Sequence, residues 1–203
     1  MAGLTTASTN YDLASLTFNN NGGSATTSIV LPGVATGVLR LSAANAITAA
    51  SDNAGTVATI SGTGLLSLTN VAPVISTTTN IVSKVTPDLA ITGIISAAGG
   101  QIVKAGNGSL VLAAANTFTT GLMLQDGALI LNNAAALGTT AGTFAIGDSV
   151  TANAVPLTIL AGSASLTTNA IPVSVNRDFT FGGTASTNNL NLAGAINLGA
   201  TTR

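Results

Sequence analysis

Short runs in which apolar residues alternate with small polar ones recur along the chain and constrain its fold more than any other feature. Clear examples are Leu13–Phe18, Gly108–Leu112, Gly127–Leu131, Arg177–Phe181 and Asn189–Leu192. Alternation with a period of two is typical of a β-strand that buries one face. Glycine, asparagine and aspartate interrupt the runs about every 8–12 residues, a spacing typical of all-β proteins. The pattern therefore predicts an all-β fold.

Weak internal repeats indicate how the strands are arranged. Gly37–Thr48 matches Gly108–Thr119 at 7 of 12 positions, and Leu89–Ile95 resembles Leu190–Ile196 at a different offset. Unequal offsets are expected when each turn of a coil has its own loop. A coil of about 20–30 residues cannot bury its apolar face alone, but stacking on the next coil buries it. We therefore predict a single domain over residues 1–203, a single-stranded parallel β-helix (β-solenoid) of about seven to nine coils spaced about 4.8 Å apart.

Composition excludes several classes of function. Only 5 Lys or Arg and 6 acidic residues occur among 203, and the chain has no His, Cys or Trp. Zinc sites of the nitrogen and sulfur type and Ser-His-Asp relays are therefore excluded. A net charge of −1 predicts no nucleic-acid partner. Because polar residues interrupt every apolar run well before about 20 residues, no membrane-spanning helix is predicted. We assign no catalytic, cofactor-binding or metal-binding residue and expect the chain not to be an enzyme.

Residues 99–138 contain a recognisable pattern. The segment resembles the autotransporter-associated β-strand repeat, also called the passenger-associated transport repeat, which reads approximately GGLxKxGxGxLxLxGxNTYxGxTxVxxGxLxLxNxxALG. Phe118 replaces the usual tyrosine of the Asn-Thr-Tyr element. The positions that match the pattern are Lys104, Gly106, Gly108, Asn116, Thr117, Gly121, Gly127, Leu137 and Gly138.

The resemblance implies a parallel β-helix from a large bacterial protein that is secreted or exposed on the cell surface, without catalytic residues. We therefore expect a structural or interaction segment of an autotransporter-like passenger: a stalk, an adhesin scaffold or a self-stacking extracellular fibre subunit. The expected partners are another copy of the chain, neighbouring coils of a longer parent chain, or host and surface glycans. The absence of cysteine agrees with export, because a chain that crosses a pore unfolded must not be cross-linked beforehand.

A polysaccharide-acting β-helix enzyme is the alternative that the acidic residues keep open. Such an enzyme needs two carboxylates about 5–10 Å apart. Coil stacking could bring Asp126 and Asp148 together, although each lies beside a glycine and is more simply interpreted as a turn residue. We expect Lys104, which could also form a functional pair with Asp88, to be an exposed or edge charge.

Three further expectations concern surfaces and corners. Arg177 and Asp178 are predicted to form a surface pair worth little energy. Asn45 and Asn116 are predicted to hydrogen-bond the backbone at tight corners. The many threonines suggest an ice-binding solenoid as a further alternative, but such a surface needs regular ranks of threonine that the sequence lacks. Neither end of the chain has a recognisable cap, so we expect a solenoid that is uncapped at both ends.

Overall fold

Alternation of buried and outward-facing residues produces strands throughout the described part of the chain. The computed structural model describes residues 10–22, 26–31, 37–53, 55–79, 86–148, 155–183 and 188–199, and within these ranges it contains β-strands and no helix. The first twelve strands are β1 (Asn10–Leu13), β2 (Leu16–Asn20), β3 (Ser28–Val30), β4 (Val38–Leu41), β5 (Asn45–Ser51), β6 (Ala58–Ser61), β7 (Leu65–Leu68), β8 (Val74–Thr79), β9 (Leu89–Ile91), β10 (Ile94–Ala97), β11 (Ile102–Ala105) and β12 (Ser109–Leu112). The others are β13 (Gly121–Leu124), β14 (Ala128–Leu131), β15 (Thr143–Ile146), β16 (Leu157–Ala161), β17 (Leu166–Thr167), β18 (Val173–Val175), β19 (Phe179–Gly183), β20 (Leu190–Asn191) and β21 (Ile196–Asn197).

The strands form four sheets in which every recorded pair of neighbours is parallel. The first sheet has the order β1-β4-β7-β10, and the second has the order β2-β5-β8-β11-β13-β15-β18-β21. The third has the order β19-β16-β14-β12-β9-β6-β3, and β17 pairs with β20 in the fourth. The described chain is thus all-β and built from parallel sheets, as predicted.

The chain visits the sheets in a fixed order. It passes through the first, second and third sheets four times, as β1-β2-β3, β4-β5-β6, β7-β8-β9 and β10-β11-β12. We number these passages circuits 1–4, followed by circuit 5 (β13-β14), circuit 6 (β15-β16), circuit 7 (β17-β18-β19) and circuit 8 (β20-β21). Paired residues in the second sheet are separated by 20 residues (Lys104 and Leu124) to 31 residues (Leu16 and Ile47). This order is consistent with a β-helix-like parallel solenoid.

Inward-facing residues of successive strands stack into columns that make the core. In the first sheet Leu39, Leu66 and Ile95 are paired in register, and each is fully buried. In the third sheet Leu110 and Leu129 do the same. Complete burial of one such side chain stabilises the fold by about 1.5–3 kcal/mol. The apolar face of each strand is therefore buried in part by the strands of the neighbouring circuits.

Two expectations about local structure are wrong in detail. The run Leu13–Phe18 is not one strand, because the chain leaves the first sheet after Leu13 and enters the second at Leu16. The repeated segments do not occupy equivalent places either. Gly37–Thr48 contains β4 of the first sheet, whereas Gly108–Thr119 contains β12 of the third. The repeats therefore reflect similar strand chemistry and not the period of the circuits.

Candidate functional site

Charged residues concentrate at one corner of the fold. This corner, which we call the charged corner, consists of the turns from the second sheet to the third together with the adjoining strand ends. Nine charged residues lie in the described part of the chain, and only Asp12 and Arg40 are in the first sheet. The seven at the charged corner are Asp52, Asp88, Lys104, Asp126, Asp148, Arg177 and Asp178. This is the one place where the described chain gathers ionisable groups, so we treat it as the candidate site.

Lys104 lies inside the fold and not at its surface, which makes the expectation of an exposed charge wrong. Its side chain is fully buried. The Nζ atom donates hydrogen bonds to the carbonyl oxygens of Ala105 (2.8 Å), Gly106 (2.8 Å) and Asp126 (2.9 Å). An ammonium group has three N–H donors, so the three carbonyls satisfy all of them. Two acceptors belong to circuit 4 and the third to circuit 5, so Lys104 links the two turns.

The strand residues in register with Lys104 are aliphatic. The residues paired in register along this part of the second sheet are Leu16, Ile47, Ile75, Lys104, Leu124, Ile146 and Val175. Burial lowers the pKa of Lys104 from its ordinary value of 10.5 to about 7, while the carboxylates of Asp126 and Asp88 raise it. The dominant cause is the loss of hydration around the charged amine.

The alternation of β11 already contained the signal for this burial. Ile102 and Lys104 are both inward residues of the strand, and Val103 between them is half-buried. Strict period-two reasoning would have placed Lys104 on the core side. Buried lysines are rare in proteins, and this one is stabilised by the hydrogen bonds of its ammonium group.

Asp88 binds the backbone of the next circuit. Its Oδ2 accepts hydrogen bonds from the backbone N–H of Ser109 (2.7 Å) and from the Ser109 hydroxyl (3.1 Å). The side chain is 2% exposed. Lys104 and Asp88 are therefore opposite charges that lie near each other inside the fold. Each of them makes hydrogen bonds that join neighbouring circuits.

Arg177 contacts residues of the two preceding circuits and pairs with Asp126. The predicted surface pair with Asp178 is therefore wrong. The Arg177 guanidinium donates to the carbonyl oxygens of Gln125 (3.0 Å) and Val155 (3.2 Å). It also lies 3.7 Å from Oδ1 of Asp126, and both side chains are 17% exposed. The aliphatic part of Arg177 lies so close to Gly147 that a Cβ there would come within 2.6–2.7 Å of it. The arginine thus crosses circuit 6 to contact circuit 5.

Asp126 and Asp148 do lie on neighbouring circuits, as the enzyme alternative requires. Leu124 is paired with Ile146, so the residues two positions further on follow adjacent strands. Gln125 connects the two turns because its Nε2 donates to Oδ2 of Asp148 (3.2 Å). Oδ1 of Asp126 is buried and accepts no hydrogen bond from the described residues. Its nearest recorded charged neighbour is Arg177, an arrangement that suits a structural ion pair.

Asn116 holds a corner, as predicted. Its Oδ1 accepts from the backbone N–H of Ile95 (2.9 Å), and its Nδ2 donates to the carbonyl of Ala136 (2.7 Å). The side chain therefore bridges circuits 4, 5 and 6 at a place where the first sheet has ended. Phe118, two residues on, is fully buried. The other predicted corner residue, Asn45, is the exposed first residue of β5.

In the described part of the second sheet, one column of outward hydroxyl residues extends over three circuits. Outward residues Thr17, Thr48 and Ser76 are in register on the second sheet, and Ala105 follows them. Among the described residues there is no group of three or more acidic, histidine or cysteine side chains placed to hold a metal ion. The same part of the chain contains no helix long and apolar enough to cross a membrane.

Comparisons with known proteins leave the class open. The chain matches no protein-family model, no curated protein sequence and no solved structure.

Proposed function

We propose that this chain is a segment of a single-stranded parallel β-solenoid from an autotransporter-like passenger, secreted by a bacterium or exposed on its surface, and that it serves as a non-catalytic scaffold. The segment resembling the passenger repeat, residues 99–138, motivates the proposal. The parallel order of the second sheet, in which strands of successive circuits are neighbours, supports it.

One observation carries the proposal. Two polar residues that match the repeat pattern, Lys104 and Asn116, make internal hydrogen bonds that join circuits. Lys104 and Asn116 bind backbone carbonyls of the following circuits, and their side chains are 0% and 4% exposed. A chemical site needs polar groups that a substrate reaches, whereas a scaffold needs circuits held in register. The partners we propose are therefore other coils, another copy of the chain or glycans.

Surface display tests the proposal. The chain is fused ahead of an outer-membrane β-barrel translocator in a Gram-negative host, and external protease is added to intact cells. We expect a segment on the outside of the cell that resists the protease, because stacked circuits protect their backbone. A matched pair of variants controls for folding. Gly127→Val puts a branched side chain where φ is +73° and a Cβ meets the backbone of circuit 4, whereas Gly182→Ala adds a methyl group in open space.

The expected outcome is resistance for the original chain and for Gly182→Ala, and degradation for Gly127→Val. Retention of the original chain inside the cell, or its complete digestion at the surface, would contradict the proposal.

The second candidate is the polysaccharide-acting enzyme, which the position of Asp126 and Asp148 on adjacent circuits favours. Release of reducing ends from a panel of acidic and neutral polysaccharides tests it. A cleavage that disappears in Asp148→Asn, with the unfolding midpoint unchanged, would establish the enzyme and overturn the scaffold. The scaffold proposal predicts no release by either protein.

A further inference from the structure

We propose that the carbonyl oxygens of Ala105, Gly106 and Asp126 form a cation-binding site of ammonium size at the charged corner, and that Lys104 fills this site from within the chain. The three oxygens converge on one nitrogen atom at 2.8, 2.8 and 2.9 Å. They come from two circuits, so occupation of the site fixes the turn of circuit 4 against that of circuit 5. This inference depends neither on an enzymatic activity nor on the scaffold proposal.

Two glycines give the turns the conformation that directs these carbonyls inward. Gly106 and Gly127 have φ values of +77° and +73°, in the left-handed region that side chains disfavour. A Cβ on Gly127 would also collide with the carbonyl oxygens of Gly106 and Gly108. The turns are therefore packed directly on each other, and the carbonyls of both circuits meet at one point.

The geometry selects a nitrogen cation. Calcium takes six to eight oxygen ligands at about 2.3–2.6 Å, whereas this site offers three at hydrogen-bond distance. A planar guanidinium spreads its donors over a fork, which does not match three acceptors around one atom. An ammonium group on an alkyl stem matches both the three carbonyls and the aliphatic column beside them. Its three N–H groups meet the carbonyls, and its stem continues the aliphatic column between Ile75 and Leu124.

Nearby carboxylates offset part of the cost of burying a positive charge. The carboxylates of Asp126 and Asp88 attract it, and Arg177 beside Asp126 is the cation that opposes it. Because burial lowers the pKa of Lys104 to about 7, the site is tested at pH 6, where the lysine is protonated.

The chain contains no cysteine, so Lys104→Cys provides one thiol for chemical reconstruction of the site. The unfolded variant is alkylated with 2-bromoethylamine, and the thiolate displaces bromide to give a side chain with the shape and charge of lysine. A second sample is alkylated with 1-iodopropane, and the thiolate displaces iodide to give a neutral side chain of the same length. Both samples are refolded, and their urea unfolding midpoints are measured at pH 6. Ile47→Cys, alkylated in the same two ways, is the matched control, because Ile47 lies in the same column between Leu16 and Ile75.

We expect the aminoethyl form to unfold at higher urea than the propyl form at position 104, and at lower urea at position 47. Equal midpoints at position 104, or a higher midpoint for the propyl form, would show that the corner is an apolar cavity and overturn the proposal. Failure of the aminoethyl form to refold while the propyl form refolds would do the same.

A measurement on the unmodified protein does not depend on refolding. The sequence contains two lysines, Lys84 and Lys104. With lysine labelled with ¹⁵N at Nζ, the three hydrogen bonds of Lys104 predict a slowly exchanging NH₃⁺ signal at pH 6 that persists in Lys84→Arg. Absence of that signal from both proteins would refute the cation site.

Discussion

At the scale of single residues, the Asn116 side chain joins the backbones of neighbouring circuits at a place where the first sheet has ended. Asn116→Ala leaves the N–H of Ile95 and the carbonyl of Ala136 without their side-chain partners. A buried group left unpaired costs about 1–3 kcal/mol, so we expect the urea midpoint to fall clearly. Asn19→Ala is the control, because Asn19 is exposed and bonds only within its own turn. Equal midpoints for the two variants would contradict the bridging role.

Lys104 makes stability depend on pH in a direction that its lowered pKa fixes. The pKa is about 7 in the fold and about 10.5 in the unfolded chain. Between these values the unfolded chain binds more protons, so the free energy of unfolding rises with pH across this window, by at most about 1.4 kcal/mol per pH unit. Below pH 7 the contribution is constant.

Subtraction isolates this contribution. The free energy of unfolding in urea is measured for the original chain and for Lys104→Met from pH 6 to pH 10. The value for the variant is subtracted from the value for the original chain, and we expect this difference to rise with pH. The methionine variant keeps Asp88, Asp126 and Arg177 but removes the titrating amine. A difference that does not change with pH would show that the lysine pKa in the fold stays near its ordinary value, and one that falls as the pH rises would show that it lies above that value. Either result would contradict the prediction.

At the scale of elements, Arg177 fastens the turn before β19 to the turns before β14 and β16. Arg177→Met keeps the aliphatic part that packs on Gly147 but removes the bonds to Gln125 and Val155 and the ion pair with Asp126. We expect a loss of about 1–3 kcal/mol, because the carbonyls of Gln125 and Val155 lose a charged donor and the buried Oδ1 of Asp126 loses its ion-pair partner. Arg40→Met is the matched control, since its pair with Asp12 is exposed and worth less than about 1 kcal/mol. A larger effect at Arg40 than at Arg177 would contradict this interpretation.

Sequence patterns predicted the elements better than their connections. Alternation located β12 and β14 to within one residue. β14 alternates half-buried and buried residues as the pattern predicts, whereas β12 buries Val111 as well as Leu110 and Leu112. It missed the break at Ala14 and Ser15, since a corner between two sheets does not interrupt the alternation. Six of the seven charged residues of the candidate site, all but Asp52, are singled out from the sequence, but the backbone carbonyls that Lys104 and Arg177 bind are not. Arg177 meets Asp126 only because circuits of unequal length bring residues about 50 positions apart to one corner.

At the scale of the whole molecule, neighbouring circuits are the only long-range partners that the strand pairs record. Stability in such a structure is approximately a sum of terms for single units and for contacts between neighbours. Cross-links that span more than one interface, such as Arg177 between circuits 7 and 5, therefore strengthen the region they cover beyond simple stacking. Circuits 4–7 hold Lys104, Asn116 and Arg177, whereas circuit 8 consists of the short strands β20 and β21.

Native-state hydrogen exchange tests this gradient. Ile196 and Leu198 of circuit 8 are 55% and 63% exposed, whereas Leu122 and Leu124 of β13 are almost completely buried. Amides open with a free energy that falls where apolar burial is small. We therefore expect exchange from β21 to be much faster than from β13, and Arg177→Met to accelerate exchange at Gln125 and Ala128 more than at Leu39 of circuit 2. Uniform exchange in all circuits would show that the chain opens as one cooperative unit and that contacts between neighbours do not set its local stability.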